Sequence, residues 1–222
     1  MSNRVSVVDY GMGNLFSVSR ALEACGAEPV LVDTPEAIID ADILILPGVG
    51  AFADGMAGLR ERNLVEQLKV YANSGRPMLG ICLGMQMMLE TAEEFGTHEG
   101  LGLIPGRVVA IPPVGVDGQP HKIPHIGWND LMKPSGAEDW QETILAETPE
   151  GARMYFVHSF MAQPSDEKAR LADCDYNGQR ISAVVKAGNV YGTQFHPEKS
   201  GALGLQILRN FIGLRRLSRT PV

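Results

Sequence analysis

A chain of 222 residues, 45% hydrophobic, 20% charged and 6% aromatic, carries ample apolar material for a core and is too short for two catalytic domains of ordinary enzyme size, so one domain over residues 1–222 is expected. Nineteen Lys and Arg against 26 Asp and Glu leave a net charge of −7, which repels phosphate backbones and anionic lipid and makes nucleic acid and membrane poor partners. The longest stretch without a charge, Pro77 to Leu89, falls short of the roughly 20 apolar residues of a membrane span, and the N-terminus has no signal-peptide core, so a cytoplasmic protein is expected.

Val5 to Asp9 is a short β-branched run broken by Gly11 and Gly13, and Leu15 to Cys25 places apolar residues at helical spacing before Gly26 stops it. Pro29 to Val32 reads as a second strand, Thr34-Pro35-Glu36 as a helix start, and Asp42 to Leu46 as a third strand running into Pro47-Gly48-Val49-Gly50. The spacing then predicts one helix from Gly58 to Ser74, a fully apolar strand from Pro77 to Ile81, and a helix from Leu83 to Thr91. This alternation predicts an α/β fold with a mostly parallel central sheet flanked by helices. From Leu101 the clear helices drop out. Arg107 to Ile111, His125 to Leu131, Met154 to Phe160, Arg170 to Tyr176 and Ser182 to Lys186 read as strands, pointing to an additional mixed or antiparallel sheet. Ser200 is placed to cap a last helix from Ala202 to about Leu217, whose Arg209, Arg215 and Arg216 suit the negative end of its dipole.

Three cysteines at wide spacing, without a CxxC pair, argue against a disulfide framework and a zinc cluster alike. Cys82 stands apart because Gly80-Ile81-Cys82-Leu83-Gly84 has the form G-x-C-x-G at a strand-to-helix junction, where a nucleophile sits in a tight, strained turn and the positions two before and two after cannot carry bulk. At a helix start a thiolate also gains from free N–H groups. Cys25 and Cys174 read as structural. A thiol nucleophile needs a base and a group to orient it. His196, followed two residues on by Glu198 after an apolar strand, supplies both, with Pro197 holding His196 extended so that the carboxylate shares its face. His121 and His125 are spaced i, i+4, but Pro124 forbids the helix that would make them a metal pair, and no metal is expected. His158, inside an apolar strand, reads as a satisfied structural histidine. For an oxyanion hole, the N–H of Leu83 is one donor by elbow geometry, and the flexible Pro47-Gly48-Val49-Gly50 loop at a strand's carboxyl end qualifies for the second, through Val49. Gly11-Met12-Gly13 fails the dinucleotide fingerprint because Phe16 stands where the third glycine belongs, so no nucleotide cofactor is supported.

Gly80-Ile81-Cys82-Leu83-Gly84-Met85-Gln86 and Gly192-Thr193-Gln194-Phe195-His196-Pro197-Glu198, in this order, together resemble the two signatures of the triad (class I) glutamine amidotransferases. Asp9 to Asn14, Pro47 to Phe52, Pro124 to Asn129, Tyr155 to Phe160 and Lys199-Ser200 narrow the resemblance to the branch serving histidine biosynthesis and extend it over essentially the whole chain. Relatives in anthranilate or guanylate synthesis usually carry histidine at the position of Met85 and lack the Gly127-Trp128-Asn129 segment. The resemblance implies a flavodoxin-like fold and a reaction in which Cys82 attacks the glutamine side-chain amide, His196 moves the proton and Glu198 orients His196. It also implies that Gln86, Gly50 and the backbone of Ser159 and Phe160 hold the amino-acid end of glutamine. Ammonia would pass to a separate (β/α)8 cyclase subunit in a heterodimer, yielding imidazole glycerol phosphate and aminoimidazole carboxamide ribonucleotide, with Asn14, Trp128 and Lys199 on the docking face. Two other classes stay open on the residues alone. A cysteine peptidase on a related elbow fold is separable by testing glutamine against peptides, and a noncatalytic scaffold is disfavoured by the intact triad positions.

Overall fold

The computed structural model describes residues 3–136 and 139–214. In chain order its first half comprises β1 (Arg4–Val8), α1 (Leu15–Ala24), β2 (Glu28–Val32), α2 (Pro35–Ile39), β3 (Leu44–Gly48), α3 (Phe52–Glu61), α4 (Val65–Asn73), β4 (Met78–Cys82) and α5 (Leu83–Met87). The second half adds β5 (Leu89–Ala92), β6 (His98–Glu99), β7 (Ile104–Ala110), β8 (His125–Asp130), β9 (Arg153–His158), β10 (Phe160–Pro164), β11 (Arg170–Tyr176), β12 (Gln179–Ala187), β13 (Val190–Thr193) and α6 (Gly201–Gly213). The seven-stranded central sheet runs β11-β12-β13-β4-β3-β1-β2. Its five strands β2-β1-β3-β4-β13 are parallel, the flavodoxin-like order 2-1-3-4-5, and β12 and β11 extend it antiparallel. A four-stranded sheet, β10-β7-β5-β6, mixes both senses, and β8 pairs with β9 alone.

Every residue of β3 and β4 is buried, because apolar layers cover both faces of the sheet. On one face Val5, Val7, Ile45 and Ile81 meet Leu22 of α1, Ile207 and Phe211 of α6, and Phe156 of β9. On the other, Leu44, Leu46 and Met78 meet Ile38, Met56 and Leu68 of α2, α3 and α4, with Met85 of α5 and Ile104 of β7. No helix among the described residues is long and apolar enough to cross a membrane.

The structure corrects four sequence expectations. The Gly58 to Ser74 helix is two helices: Asn63, at φ 57°, donates to Arg60 O, and Leu64 donates back to Leu59 O, a left-handed stop that asparagine tolerates. The Leu83 to Thr91 helix ends at Met87, because the Leu101, Leu103 and Ile104 N–H groups bond to the Met87 and Met88 carbonyls and draw Leu89–Ala92 into the second sheet. Met154 to Phe160 is not one strand; the chain changes sheets at Ser159, whose carbonyl accepts from Ile111 N. Ser200 precedes α6 without a side-chain cap, since its hydroxyl is committed to His196 O and Tyr155 N. Arg215, Arg216 and Leu217 lie outside the described residues.

Candidate active site

In-register pairing of β3, β4 and β13 places Gly48 opposite Cys82 and brings the segment after Thr193 to the same edge of the sheet. Cys82 ends β4 and starts α5 with φ 54° and ψ −110°, a left-handed-side conformation costly for a residue with a side chain. The turn is enforced by crowding. A Cβ on Gly84 would lie 1.8 Å from Leu46 O, and one on Gly80 would lie 2.7 Å from Met85 N, so only glycine fits at either flank.

His196 is delivered by backbone bonds. Its N–H donates to Tyr155 O at 3.0 Å, and Ser200 Oγ donates to its carbonyl at 2.7 Å while accepting the Tyr155 N–H. The residue is extended, as Pro197 requires, but the carboxylate does not come round by extended geometry. A 3-10 turn over Pro197–Lys199 returns Glu198, whose Oε1 accepts from His196 Nδ1 at 2.8 Å with the carboxylate side chain 1% exposed. Burial by itself would push the imidazole down, yet the Cys82 sulfur and the Glu198 carboxylate outweigh it and raise His196 to about 9. An imidazolium beside the sulfur is therefore the resting form near neutral pH. Nε2 carries no formed hydrogen bond and is left for reacting groups.

A cavity of about 410 Å³ opens over this pair, large enough for a small amino acid. Val49, Gly50, Cys82, Leu83, Gln86, Ser159, Phe160 and His196 all line it, so the structure gathers the expected oxyanion and substrate positions around Cys82. Pro124, Val157, His158 and Glu94 line it too. Glu94 carries no motif signal in the sequence; its place shows only in the structure, where its Oε2 accepts from Phe52 N at 2.6 Å. Gln194, two residues before His196 in the second signature, is fully buried and donates to Cys82 Sγ at 3.7 Å. Cys25 donates to Leu205 O, and Cys174 is fully buried in β11; burial pushes both thiols up, the direction of inert cysteines.

The expected docking residues have mixed surroundings. Lys199 is exposed, and Trp128 is half-exposed against the edge of Tyr155. Asn14 is committed in part, because its Oδ1 caps α1 by accepting from Ser17 N.

His158 and His125 form a buried pair whose proton order is set by a carbonyl. Phe160 O only accepts, so His158 Nδ1 carries a proton toward it at 2.8 Å, and His158 Nε2 accepts from His125 Nδ1 at 3.0 Å. Burial pushes His158 down to about 3 and His125 down to about 4. The unfolded chain takes up both protons near pH 6.5 and the native fold does not, so the stability these groups contribute is complete above about pH 6.5 and is lost as pH falls toward 4. His196, raised instead, adds no slope below 6.5. The urea midpoint should therefore drop between pH 7 and pH 5, His158 alone accounting for about 1.4 kcal/mol per pH unit, with a shallower slope in His158→Gln. A midpoint constant across that range would contradict buried neutral imidazoles.

A profile of the glutamine amidotransferase class-I family matches residues 6–214. Imidazole glycerol phosphate synthase subunit HisH 1 of Legionella pneumophila (strain Lens) is 61% identical over 208 residues, covering 94% of this chain and 98% of the relative. Imidazole glycerol phosphate synthase subunit HisH of Geobacillus sp. (strain WCH70) is 48% identical over 212 residues, covering 95% and 96%. Among solved structures, PurLQS from Thermotoga maritima superposes with a TM-score of 0.71 at 24% identity over 96% of this chain and 99% of its own. The crystal structure of a glutamine amidotransferase gives 0.71 at 19% identity over 96% of this chain and 98% of its own. At these identities the structural likeness speaks for the fold.

Proposed function

Since the chain belongs to the class-I glutamine amidotransferase family, we propose that its site hydrolyses L-glutamine through Cys82, His196 and Glu198. The chain is the glutaminase subunit of imidazole glycerol phosphate synthase, releasing glutamate and passing ammonia to the cyclase subunit in histidine biosynthesis. The observation that carries the site reading is a strained cysteine sharing a cavity with His196, whose ring is held from behind by the Glu198 carboxylate, with 61% identity over 94% of the chain to a HisH subunit.

The chemistry follows from the placements. The Cys82 thiolate attacks the side-chain carbonyl carbon, and the developing oxyanion is met by the Leu83 N–H and, when its peptide faces the cavity, by the Val49 N–H. His196 gives its Nε2 proton to the leaving nitrogen, which departs as ammonia, leaving a γ-glutamyl thioester. Water then attacks with His196 as base. Gln86, Gly50 and the backbone of Ser159 and Phe160 hold the amino-acid end, and Glu94, the carboxylate that lines the cavity, meets the substrate's ammonium group. We read residues 1–222 as one catalytic domain without cofactor or metal, working in the cytoplasm as a heterodimer with a (β/α)8 cyclase docked over Trp128, Lys199 and the free amide of Asn14. Three free thiols suit a reducing compartment.

A site that releases ammonia without its own acceptor is wasteful unless gated, and the oxyanion loop is the natural gate. A turn of the Gly48–Val49 peptide would bring the Val49 N–H to the cavity, next to Gly50 at φ 105°, a backbone region that favours glycine. Gly48 contributes differently from the flexibility its type implies, since a Cβ there would lie 2.6 Å from Tyr10 Oη and 2.9 Å from Gly84 N. It is required for packing, so substitutions there report on the fold and not on the gate. Glutaminase turnover of the chain alone, with cyclase, and with cyclase plus its acceptor nucleotide should rise in that order. Equal rates in all three would remove the gate, and absence of glutamine hydrolysis in the loaded complex would remove the functional reading.

A further inference from the structure

Gln194 reaches the nucleophile from behind the cavity. It is fully buried, does not line the cavity, and its Nε2 lies 3.7 Å from Cys82 Sγ, so it touches the reacting sulfur without touching substrate. Its orientation is forced. Phe160 O only accepts, so Gln86 turns its NH2 group toward that carbonyl at 3.0 Å, and the same Nε2 donates to Gln194 Oε1 at 3.0 Å. With its oxygen taken by a donor, Gln194 can present only N–H to the sulfur. Its own backbone N–H is tied to Ala183 O at 2.9 Å. Besides the His196 ring, the sulfur also has Val157 O at 3.9 Å, which accepts and favours a thiol proton, the opposite preference.

Resting on the glutaminase reading, we infer that Gln194 is a catalytic residue of the second half-reaction, its Nε2–H holding the Cys82 sulfur as it leaves the glutamyl thioester. In that step a water oxygen bonds to the thioester carbon and gives a proton to His196 Nε2. The carbon–sulfur bond then breaks, and its electron pair departs on sulfur. The product is glutamate's γ-carboxylic acid, which loses its proton to solvent, and the site returns to thiolate and imidazolium. A neutral thioester sulfur is a poor acceptor and a thiolate a good one, so the N–H···S bond strengthens as the sulfur leaves. Attack on glutamine runs the other way: the thiolate starts with the bond and loses it. Removing the N–H therefore slows thioester hydrolysis while leaving acylation nearly unchanged, because a less stabilised thiolate is also a stronger nucleophile.

The test uses the complex with the cyclase subunit and its acceptor nucleotide, wild type against Gln194→Met and Gln194→Glu. Methionine fills a similar volume without a donor. Glutamate keeps the size and the acceptor for Gln86, so it serves if the methionine variant does not assemble. Acid-quenched samples are read by intact-protein mass for a glutamyl adduct on Cys82, beside ammonia release in the first turnover and at steady state. The expected result is a steady-state rate lower by about 10- to 100-fold, the worth of a hydrogen bond to a charged group, with a first-turnover release close to wild type and adduct accumulating on Cys82. Unchanged steady-state turnover, or a loss shared equally by first turnover and steady state without adduct, overturns the inference. If wild type itself releases no ammonia from glutamine, the glutaminase reading fails instead.

Discussion

Replacing Cys82 with alanine should lower glutamine-dependent formation of the cyclase products by about 10⁴-fold or more, while ammonium salts still support them at the wild-type rate. The size follows from what remains. The oxyanion donors and cavity still bind glutamine, but a water lacking a covalent intermediate must attack an amide whose leaving group is no longer helped by a charged partner pair. The ammonium arm isolates the missing step, since the thiol's role is to generate ammonia. A second reading comes from the imidazole. Because the sulfur is one of the two groups that raise His196 to about 9, its loss should lower the His196 titration seen by NMR. Retained glutamine use, or labelling of Cys25 or Cys174 by a glutamine-analogue electrophile, would reassign the nucleophile.

Glu198→Gln should reduce kcat by about 10²- to 10⁴-fold with little change in KM. Glu198 meets His196 Nδ1 at 2.8 Å and is not among the residues lining the cavity, so it is a positioning residue that acts through the ring. An amide keeps the shape but removes the charge that favours imidazolium, and it can turn an N–H toward Nδ1 and select the wrong tautomer. The pH profile should also change, because the ring protonates at lower pH once the carboxylate is gone. A normal kcat with a large rise in KM would make Glu198 a substrate ligand.

How far such a site can be read without coordinates depends on whether each residue's task is local. The Gly80-x-Cys82-x-Gly84 turn is legible because its demand is steric and falls on near neighbours: glycine flanks are the condition for the strained φ of 54° at Cys82. His196-Pro197-Glu198 is legible because two residues of chain suffice to bring a carboxylate to an imidazole, although the 3-10 turn that does it was not the extended path expected. Glu94 and Gln194 are different. Each is an unremarkable polar residue until a contact 42 residues away, to Phe52 N, or 112 residues away, to Cys82 Sγ, gives it a task.

The same division runs through the fold. The chain's apolar periodicity and its glycine and proline punctuation were enough to determine a mostly parallel α/β sheet, and its two signatures single out Cys82, His196 and Glu198 as the candidate site. Each strand, helix and signature is specified by neighbours within a few residues, a pattern written directly in the sequence, while the meeting of Cys82 with His196 depends on the pairing of β4 with β13. Only tertiary structure decided that Leu89–Ala92 joins a second sheet and that the Met154 to Phe160 run splits at Ser159. It alone gave Gly48 to packing and Ser200 to the backbone of His196. In each case the local preference is weak or ambiguous, and hydrogen bonds and packing offered by distant segments supply the larger free energy.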